Sequence, residues 1–369
     1  MTKTRSLGVI FETASFGGPH RYITNILDDL GDNFNVTVII PKSHDRFFYN
    51  KLRKCNIKII EVPLSCLGGG IINSLFYLIF MFFNVLRLRK FLGSIHFDIL
   101  YIMGGSSCFL SVLLGFSCSG KICWNINDSY MPPIVRPFFW LFSRFVKNYV
   151  LTNQRTYEFY KNLIPNDSCC RIIESAVCEE GVSRNCRPNF KSDIVNLVAV
   201  GNISPVKGYE DLIDILVLLK ARCSIKFNLT IVGKVFSRQR DYYYKISDYA
   251  ISKGVSVEIL TDVNEVSDIL CDQDIFVMTS RSESSPLALY EALLVGMPFV
   301  VFEFTDLTKL EGLDGFVVKE RDKSLFSGKI VALCKDKLGY SVNNQLYVKR
   351  FHSPVVIATA HRNFFERLQ

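Results

Sequence analysis

Apolar residues recur along this chain in short runs, separated by polar loops rich in glycine and proline. Leu7–Phe11 is such a run. Gly17-Gly18-Pro19 follows it, and apolar positions at helical spacing then extend from Tyr22 and Ile23 through Ile26 and Leu27 to Leu30. Val36–Ile40, closed by Pro41, is the next run. A short, wholly apolar run suits a strand covered on both faces, and a helical stripe between two runs supplies the crossover. The pattern therefore predicts the β-loop-α-β opening of a doubly wound sheet. Further strands are predicted at Ile99–Ile102, Lys121–Ile126 and Tyr149–Thr152. Gly104-Gly105-Ser106-Ser107 and Asn127-Asp128 fall in the loops after the first two.

Glu179–Asp193 is polar, contains Gly181 and Pro188, and has no apolar period, so residues 179–194 read as a linker. The alternation then restarts. Strands are predicted at Val195–Val200, Phe227–Val232, Ser256–Leu260, Phe299–Phe302 and around Gly315–Val318. Helices are predicted at Tyr209–Arg222, with Leu212, Ile215, Leu216 and Leu219 on one face, at Gln239–Lys253 and Val263–Cys271, and from Asp322 onward. Two α/β domains are expected, 1–178 and 195–352, and 369 residues suffice for two full cores.

Composition adds a surface to this picture. The chain is 49% hydrophobic with 30 phenylalanines, which excludes disorder. Its net charge of +8 lies wholly in residues 1–178, which hold 19 Lys and Arg against 11 Asp and Glu. That half is expected to meet an acidic surface such as lipid headgroups. The most apolar stretch, Ile71–Phe83, is followed by Arg87-Leu88-Arg89-Lys90. Asn73, Ser74 and Asn84 interrupt it, so it falls short of the roughly 20 residues that span a bilayer. It reads either as a helix packed on the sheet or as an interfacial helix with a basic collar. Arg136–Lys147 is a second aromatic and basic segment. The 12 cysteines include no C-x-x-C pair and histidines number 5, which argues against zinc; reduced, mostly buried thiols are expected. The start of the sequence shows no signal-peptide core, so a cytoplasmic location is expected.

The candidate chemistry lies at Ser280–Glu291, after the apolar strand Asp274–Met278. Ser285 is expected to cap a helix whose first residue is Pro286. Such a helix start offers unpaired amides to an anion. Glu291, about a turn and a half further on, is placed to meet a neutral hydroxylated group. Phosphate beside polyol suggests a nucleotide sugar.

Four segments, in order, resemble the retaining glycosyltransferases of family 4. They are Gly17-Gly18; Gly201 to Lys207-Gly208; Asp274–Met278; and Glu283 to Glu291 (the family's E-x7-E), continuing to Gly296-Met297-Pro298. The resemblance implies a GT-B fold, an α/β architecture of two Rossmann-like domains facing across a cleft. It implies that residues 1–178 form the acceptor domain and 195–352 the donor domain, with about 353–369 crossing back onto the first. Lys207 and Glu283 become the expected catalytic residues. Donor binding is expected from Gly17, Gly18, Asn202, Lys207, Arg281, Ser284, Ser285, the amides of Leu287 and Ala288, and Glu291. Asn202 stands where the family has an arginine, and Arg281 is a candidate substitute from the facing loop. Asn127 and Asp128, where members often carry a His-Asp pair, are candidates on the acceptor side. Glu174-Ser175-Ala176 replaces a common P-N-G near the domain crossing.

The implied activity is metal-independent, hexosyltransferase-type transfer from a nucleotide-sugar donor, retaining configuration. The acceptor would be a saccharide, expected to be lipid-linked, in surface polysaccharide or lipopolysaccharide biosynthesis. No cofactor, metal or nucleic acid is implied, and a peripheral position at the inner face of the plasma membrane is expected. The alternatives are other GT-B chemistry, such as nucleotide-sugar 2-epimerisation, and a degenerate, non-catalytic binding subunit.

Overall fold

The computed structural model describes all residues except 1–3, 14–16, 45, 56, 65–70, 179–193, 262, 264–265, 306, 337–339 and 369, and omits the side chains of 71–75, 78 and 134. The chain forms two compact units, Met1–Ala176 with Pro354–Gln369, and Val177–Ser353. The linker expected over 179–194 lies outside the described residues, apart from Ile194, which opens a strand.

Unit 1 carries seven strands: β1 (Arg5–Phe11), β2 (Phe34–Pro41), β3 (Lys58–Val62), β4 (Phe97–Gly104), β5 (Ser119–Ile126), β6 (Asn148–Leu151) and β7 (Cys169–Ile172). They pair in the order β3-β2-β1-β4-β5-β6-β7, all parallel. The helices are α1 (Gly18–Thr24), α2 (Leu27–Gly31), α3 (Arg46–Lys54), α4 (Ile71–Leu92), α5 (Phe109–Cys118), α6 (Arg136–Ser143) and α7 (Gln154–Tyr160). Unit 2 has β8 (Ile194–Val200), β9 (Lys226–Val232), β10 (Ser256–Leu260), β11 (Ile275–Met278), β12 (Phe299–Phe302) and β13 (Gly315–Val318), in the order β10-β9-β8-β11-β12-β13, again all parallel. Its helices are α8 (Tyr209–Arg222), α9 (Arg240–Lys253), α10 (Val266–Cys271), α11 (Leu287–Leu294), α12 (Lys323–Asp336) and α13 (Val342–Phe351). The last helix, α14 (Pro354–Glu366), returns to unit 1.

β11 and β12 are apolar throughout because their sheet is covered on both sides. Along β11, Ile275 and Val277 enter one core while Phe276 and Met278 enter the other. On β12, Val300 and Phe302 divide from Phe299 and Val301 in the same way. This is the two-residue period of a strand applied to two cores at once. Two strands were not foreseen, β3 and β7. Both lie at a sheet edge and, unlike the central strands, are only partly buried, so no continuous apolar run marks them.

The helix expected from Tyr22 to Leu30 is two helices, parted at Asn25-Ile26, and Asn25 Nδ2 donates to Ala176 O at 2.8 Å. Conversely, α4 runs unbroken through Asn73, Ser74 and Asn84 to Leu92. Nine described cysteines are free thiols, but only Cys108, Cys118 and Cys123 are buried, whereas mostly buried thiols were expected; Cys169 is exposed and the other five are half-buried. Among the described residues, no helix is long and apolar enough to cross a membrane.

α14 is held to unit 1 by His361, whose ring is fully buried. Its Nδ1 donates to Ile357 O at 2.8 Å, and Nε2 accepts from the Tyr101 hydroxyl at 3.0 Å; the Tyr22 hydroxyl lies equally near Nε2 and donates to Ile173 O at 3.1 Å. Arg5 adds a bond from its guanidinium to Phe365 O at 3.1 Å.

Candidate functional site

In both sheets the first strand of the unit stands between its second and its fourth, so the connections leave in opposite directions there. Ligands of open parallel sheets settle beyond the carboxyl ends of the strands at such a point. In unit 2 the strands concerned are β8 and β11, with Ile275 beside Leu197 and Phe276 beside Val198. The loops leaving their carboxyl ends are Gly201–Gly208 and Thr279–Pro286.

Glycine is obligatory at Gly233, beside the start of the first loop. A Cβ on Gly233 would lie 1.8 Å from Gly201 O, so β9 and the loop after β8 approach as only glycine permits. Gly201 itself has φ +157, and a Cβ there would lie 2.7 Å from Lys207 Cε. The stem of Lys207 thus folds over bare backbone. Pro205–Lys207 forms a single 3-10 turn, ended by Gly208 at φ +65. The second loop is tied to this turn: Arg281 N donates to Val206 O at 2.8 Å, and Thr279 Oγ1 to Gly208 O at 2.9 Å. These bonds bring Lys207 Nζ to 2.5 Å from Glu283 Oε1, which also accepts from Ser280 Oγ at 2.6 Å. The Lys207 and Glu283 side chains are 18% and 10% exposed. Removing one partner of such a desolvated pair costs about 3–5 kcal/mol, because the other charge stays buried.

A third residue fastens both loops. Arg321, just beyond β13, donates to Ser280 O at 3.1 Å and to Thr279 O at 2.8 Å, and pairs with Asp211 in the first turn of α8. Its guanidinium lies 4.7 Å from the centre of the Phe302 ring. Lys323 pairs with the same Asp211 at 2.9 Å and with Asp214 at 2.6 Å. Burial opposes ionisation of Asp211, but the hydrogen bonds and charges of Lys323 and Arg321 prevail and hold its carboxyl below the usual range. Sequence reasoning missed Arg321. It sits in Lys319-Glu320-Arg321-Asp322-Lys323, a charged run that reads as solvated surface. A signal existed only in retrospect, since a short charged stretch after a strand marks the carboxyl edge of the sheet.

The start of α11 differs from expectation. The helix begins at Leu287, Pro286 occupies the cap position with φ −80 and ψ 61, and neither Ser285 nor Pro286 plays the role foreseen for it. The turn at Pro286 closes with Leu287 N donating to Ser285 O at 2.9 Å, so the Leu287 amide is already used. The Ala288 amide has no acceptor among the described residues. Glu291 is half-buried one turn on, Ser284 and Ser285 are half-buried in the loop, and Asn202 and Arg281 are exposed.

Gly17, Gly18, Asn127 and Asp128 belong to unit 1. Gly17 precedes α1, its N–H donating to His20 Nδ1 at 3.2 Å, and a Cβ on Gly17 or Gly18 would meet nothing. The fold therefore does not itself require either glycine. Asp128 follows β5 and accepts from Tyr160 Oη at 3.0 Å. Burial pushes its carboxyl up to about 6, with the Tyr160 bond opposing. A Cβ on Gly105 would stand 2.4 Å from Asp128 Oδ2, so any side chain there would displace the carboxyl. Glu12, unforeseen, ends β1 fully enclosed. It accepts from Tyr77 Oη and from Ser111 N, each at 2.7 Å, and burial pushes it up to about 7.

Residues 195–336 match the family described as glycosyl transferases group 1. Over 333 residues the chain is 22% identical to an uncharacterized 41.2 kDa protein in the cps region of Klebsiella pneumoniae, covering 81% of this chain and 83% of that one. A stretch of 110 residues is 29% identical to the capsular polysaccharide biosynthesis glycosyltransferase CapH of Staphylococcus aureus, 29% of this chain and 30% of CapH. Among solved structures, Anabaena Alr3699/HepE in complex with UDP and glucose superposes with a TM-score of 0.78 at 15% identity, covering 99% of this chain and 100% of that one. The fold is GT-B, and the part of the chain that holds Lys207 and Glu283 matches the group 1 glycosyl transferases, which together support a GT-B glycosyltransferase.

Proposed function

We propose that the protein transfers a sugar from a nucleotide-sugar donor, with retention of anomeric configuration, to a lipid-linked saccharide of a surface polysaccharide. The observation that carries this reading is the Lys207–Glu283 pair at the carboxyl ends of β8 and β11, beside the start of α11. When the anomeric carbon–oxygen bond breaks, charge builds on the leaving diphosphate. Lys207 answers it with a cation and the Ala288 amide with a fixed dipole, in place of a metal. Without donor, Glu283 neutralises Lys207; with donor, the diphosphate becomes the second partner of the ammonium, and Glu283 faces the sugar. The acceptor oxygen bonds the anomeric carbon on the face that the diphosphate leaves, and its proton passes to the departing phosphate oxygen. Glu291 is assigned to the ribose hydroxyls, and Asn202, Arg281, Ser284 and Ser285 to the edge of the donor pocket. Gly17 and Gly18 are assigned to the donor as well, and Asp128 with Asn127 to the acceptor. HepE is described with UDP and glucose, and CapH with capsular polysaccharide, so a UDP-sugar is the first donor to try.

Purified protein should melt higher with one of UDP-, GDP- or ADP-sugars and release that nucleotide only when acceptor is added. Lys207→Met should lower kcat/KM by about a hundredfold or more. The double variant Lys207→Met/Glu283→Gln, which leaves no unpaired charge, should regain stability but not activity. Wild-type activity in the double variant would refute the site. Donor conversion to its epimer without acceptor would replace transfer by epimerisation, and an inverted product by NMR would remove retention.

A further inference from the structure

Between Phe76 and Leu86, α4 carries large apolar side chains on both its inner and its outer face, yet among the described residues only one stripe is covered. Tyr77, Met81, Leu88 and Leu92 lie on that stripe, in the core beneath the helix. Phe76, Ile79, Phe80, Phe82, Phe83 and Leu86 lie on the other side and are exposed, Phe83 by 71% and Leu86 by 69%. A helix that is hydrophobic all round is normally buried all round, and an uncovered apolar face of this kind marks a contact surface. The helix contains no acidic residue, and Arg87, Arg89 and Lys90 follow its aromatic section. α5 and α6 pack on the same face of the sheet, since all three helices feed one core. Exposed aromatics continue across this layer. The Phe116 ring meets that of Phe145 edge-on at 5.4 Å, and the Arg144 guanidinium lies 4.4 Å over Trp140. Lys42 sits 5.2 Å from the Phe91 ring in the same manner.

We infer that the α4–α6 layer of unit 1 docks on an anionic lipid bilayer, with α4 lying in the plane of the headgroups. The chemistry selects this occupant. Aromatic side chains interleaved with Lys and Arg match the boundary between acyl chains and acidic headgroups. A second copy would bring like charges together, because the excess of +8 resides in residues 1–178. The buried stripe of α4 rules out a spanning role, since Tyr77 and Leu88 are needed inside. The same helix reaches the candidate acceptor edge, where Tyr77 Oη donates to Glu12 at the end of β1. A lipid-linked acceptor would then lie in the surface on which the protein rests, and in that respect the inference rests on the function proposed above.

The test uses the full-length protein and vesicles of phosphatidylcholine, with and without about one third phosphatidylglycerol, at physiological salt. No nucleotide sugar is present, so failure would leave the transfer reading intact. Flotation should rise about tenfold or more with the anionic lipid. Phe82→Ser/Phe83→Ser, both at exposed positions, should melt like wild type and lose about tenfold or more of that binding. Of the two tryptophans, Trp124 is buried and Trp140 half-exposed, so bromolipid quenching of emission reports on α6. Three results would overturn the proposal: wild type that does not float, a variant that floats equally well, or bound protein with unquenched Trp140. A lipid-free dimer that the double variant dissolves would assign the face to a second copy instead.

Discussion

Glu12 keeps its carboxyl inside the core of unit 1, where ionisation is opposed by burial and partly supported by Tyr77 and Ser111. Its folded value of about 7 exceeds the ordinary 4.5, so between those values the folded state holds the extra proton. Glu12 therefore contributes stability that is complete below about 4.5 and is lost as pH rises through 7. His361 acts in the opposite sense. Burial lowers it from 6.5 to about 4, so its contribution is complete above 6.5 and is lost as pH falls toward 4. The gain of Glu12→Gln over wild type should grow by about 2.5 kcal/mol between pH 5 and pH 8. His361→Leu should flatten the acid side of the profile. Melting temperatures of the three proteins across that range check both signs. Neither residue was legible in the sequence, because a single Glu or His within apolar surroundings carries no periodicity. Lys207 and Glu283 were legible, since each stands in a patterned loop between a strand and a helix.

Loops after β8 and β11 were foreseen as separate pieces, and what joins them was not. Arg321 is 110 positions from Asp211 and 41 from Ser280, and no local pattern connects those three. Its role is to position, since it holds the carbonyls of Thr279 and Ser280 against the turn that carries Lys207. Arg321→Ala should lower kcat at least about tenfold with the donor KM changed less, and added guanidinium should restore part of it. A uniform fall in activity that tracks loss of folded protein, without rescue, would make Arg321 merely structural. α11 teaches the complementary lesson. Ser-Pro before an apolar stretch is a sound cap signal, but the turn closed from Leu287 to Ser285 moved the start of the helix past the proline. Local propensity located the element and tertiary bonding set its boundary. The edge strands β3 and β7 escaped notice for a similar reason, because strands exposed at an edge need not be apolar.

At the scale of the whole molecule, the alternation of strand and helix was enough to predict two doubly wound sheets. The return of α14 to unit 1 was implied by family resemblance alone, as no feature of Pro354–Glu366 names its partner. Its anchoring by His361, Tyr22 and Tyr101 nevertheless makes it part of the first core. Unit 1 is thus encoded in two pieces, and unit 2 lies between them in sequence. The chain enters unit 2 at Val177 and leaves it after His352, and those two are joined by a hydrogen bond of 2.8 Å, Val177 N to His352 O. A protein in which a short Gly-Ser bridge links Ala176 to Pro354 should therefore show a cooperative melt by circular dichroism, whereas residues 1–176 alone should not. A melt equally cooperative without α14 would contradict this. For genetic exchange, the residues that carry Lys207 and Glu283 form a cassette with two adjoining breakpoints. Two crossovers at those junctions would replace them and leave both pieces of unit 1 untouched.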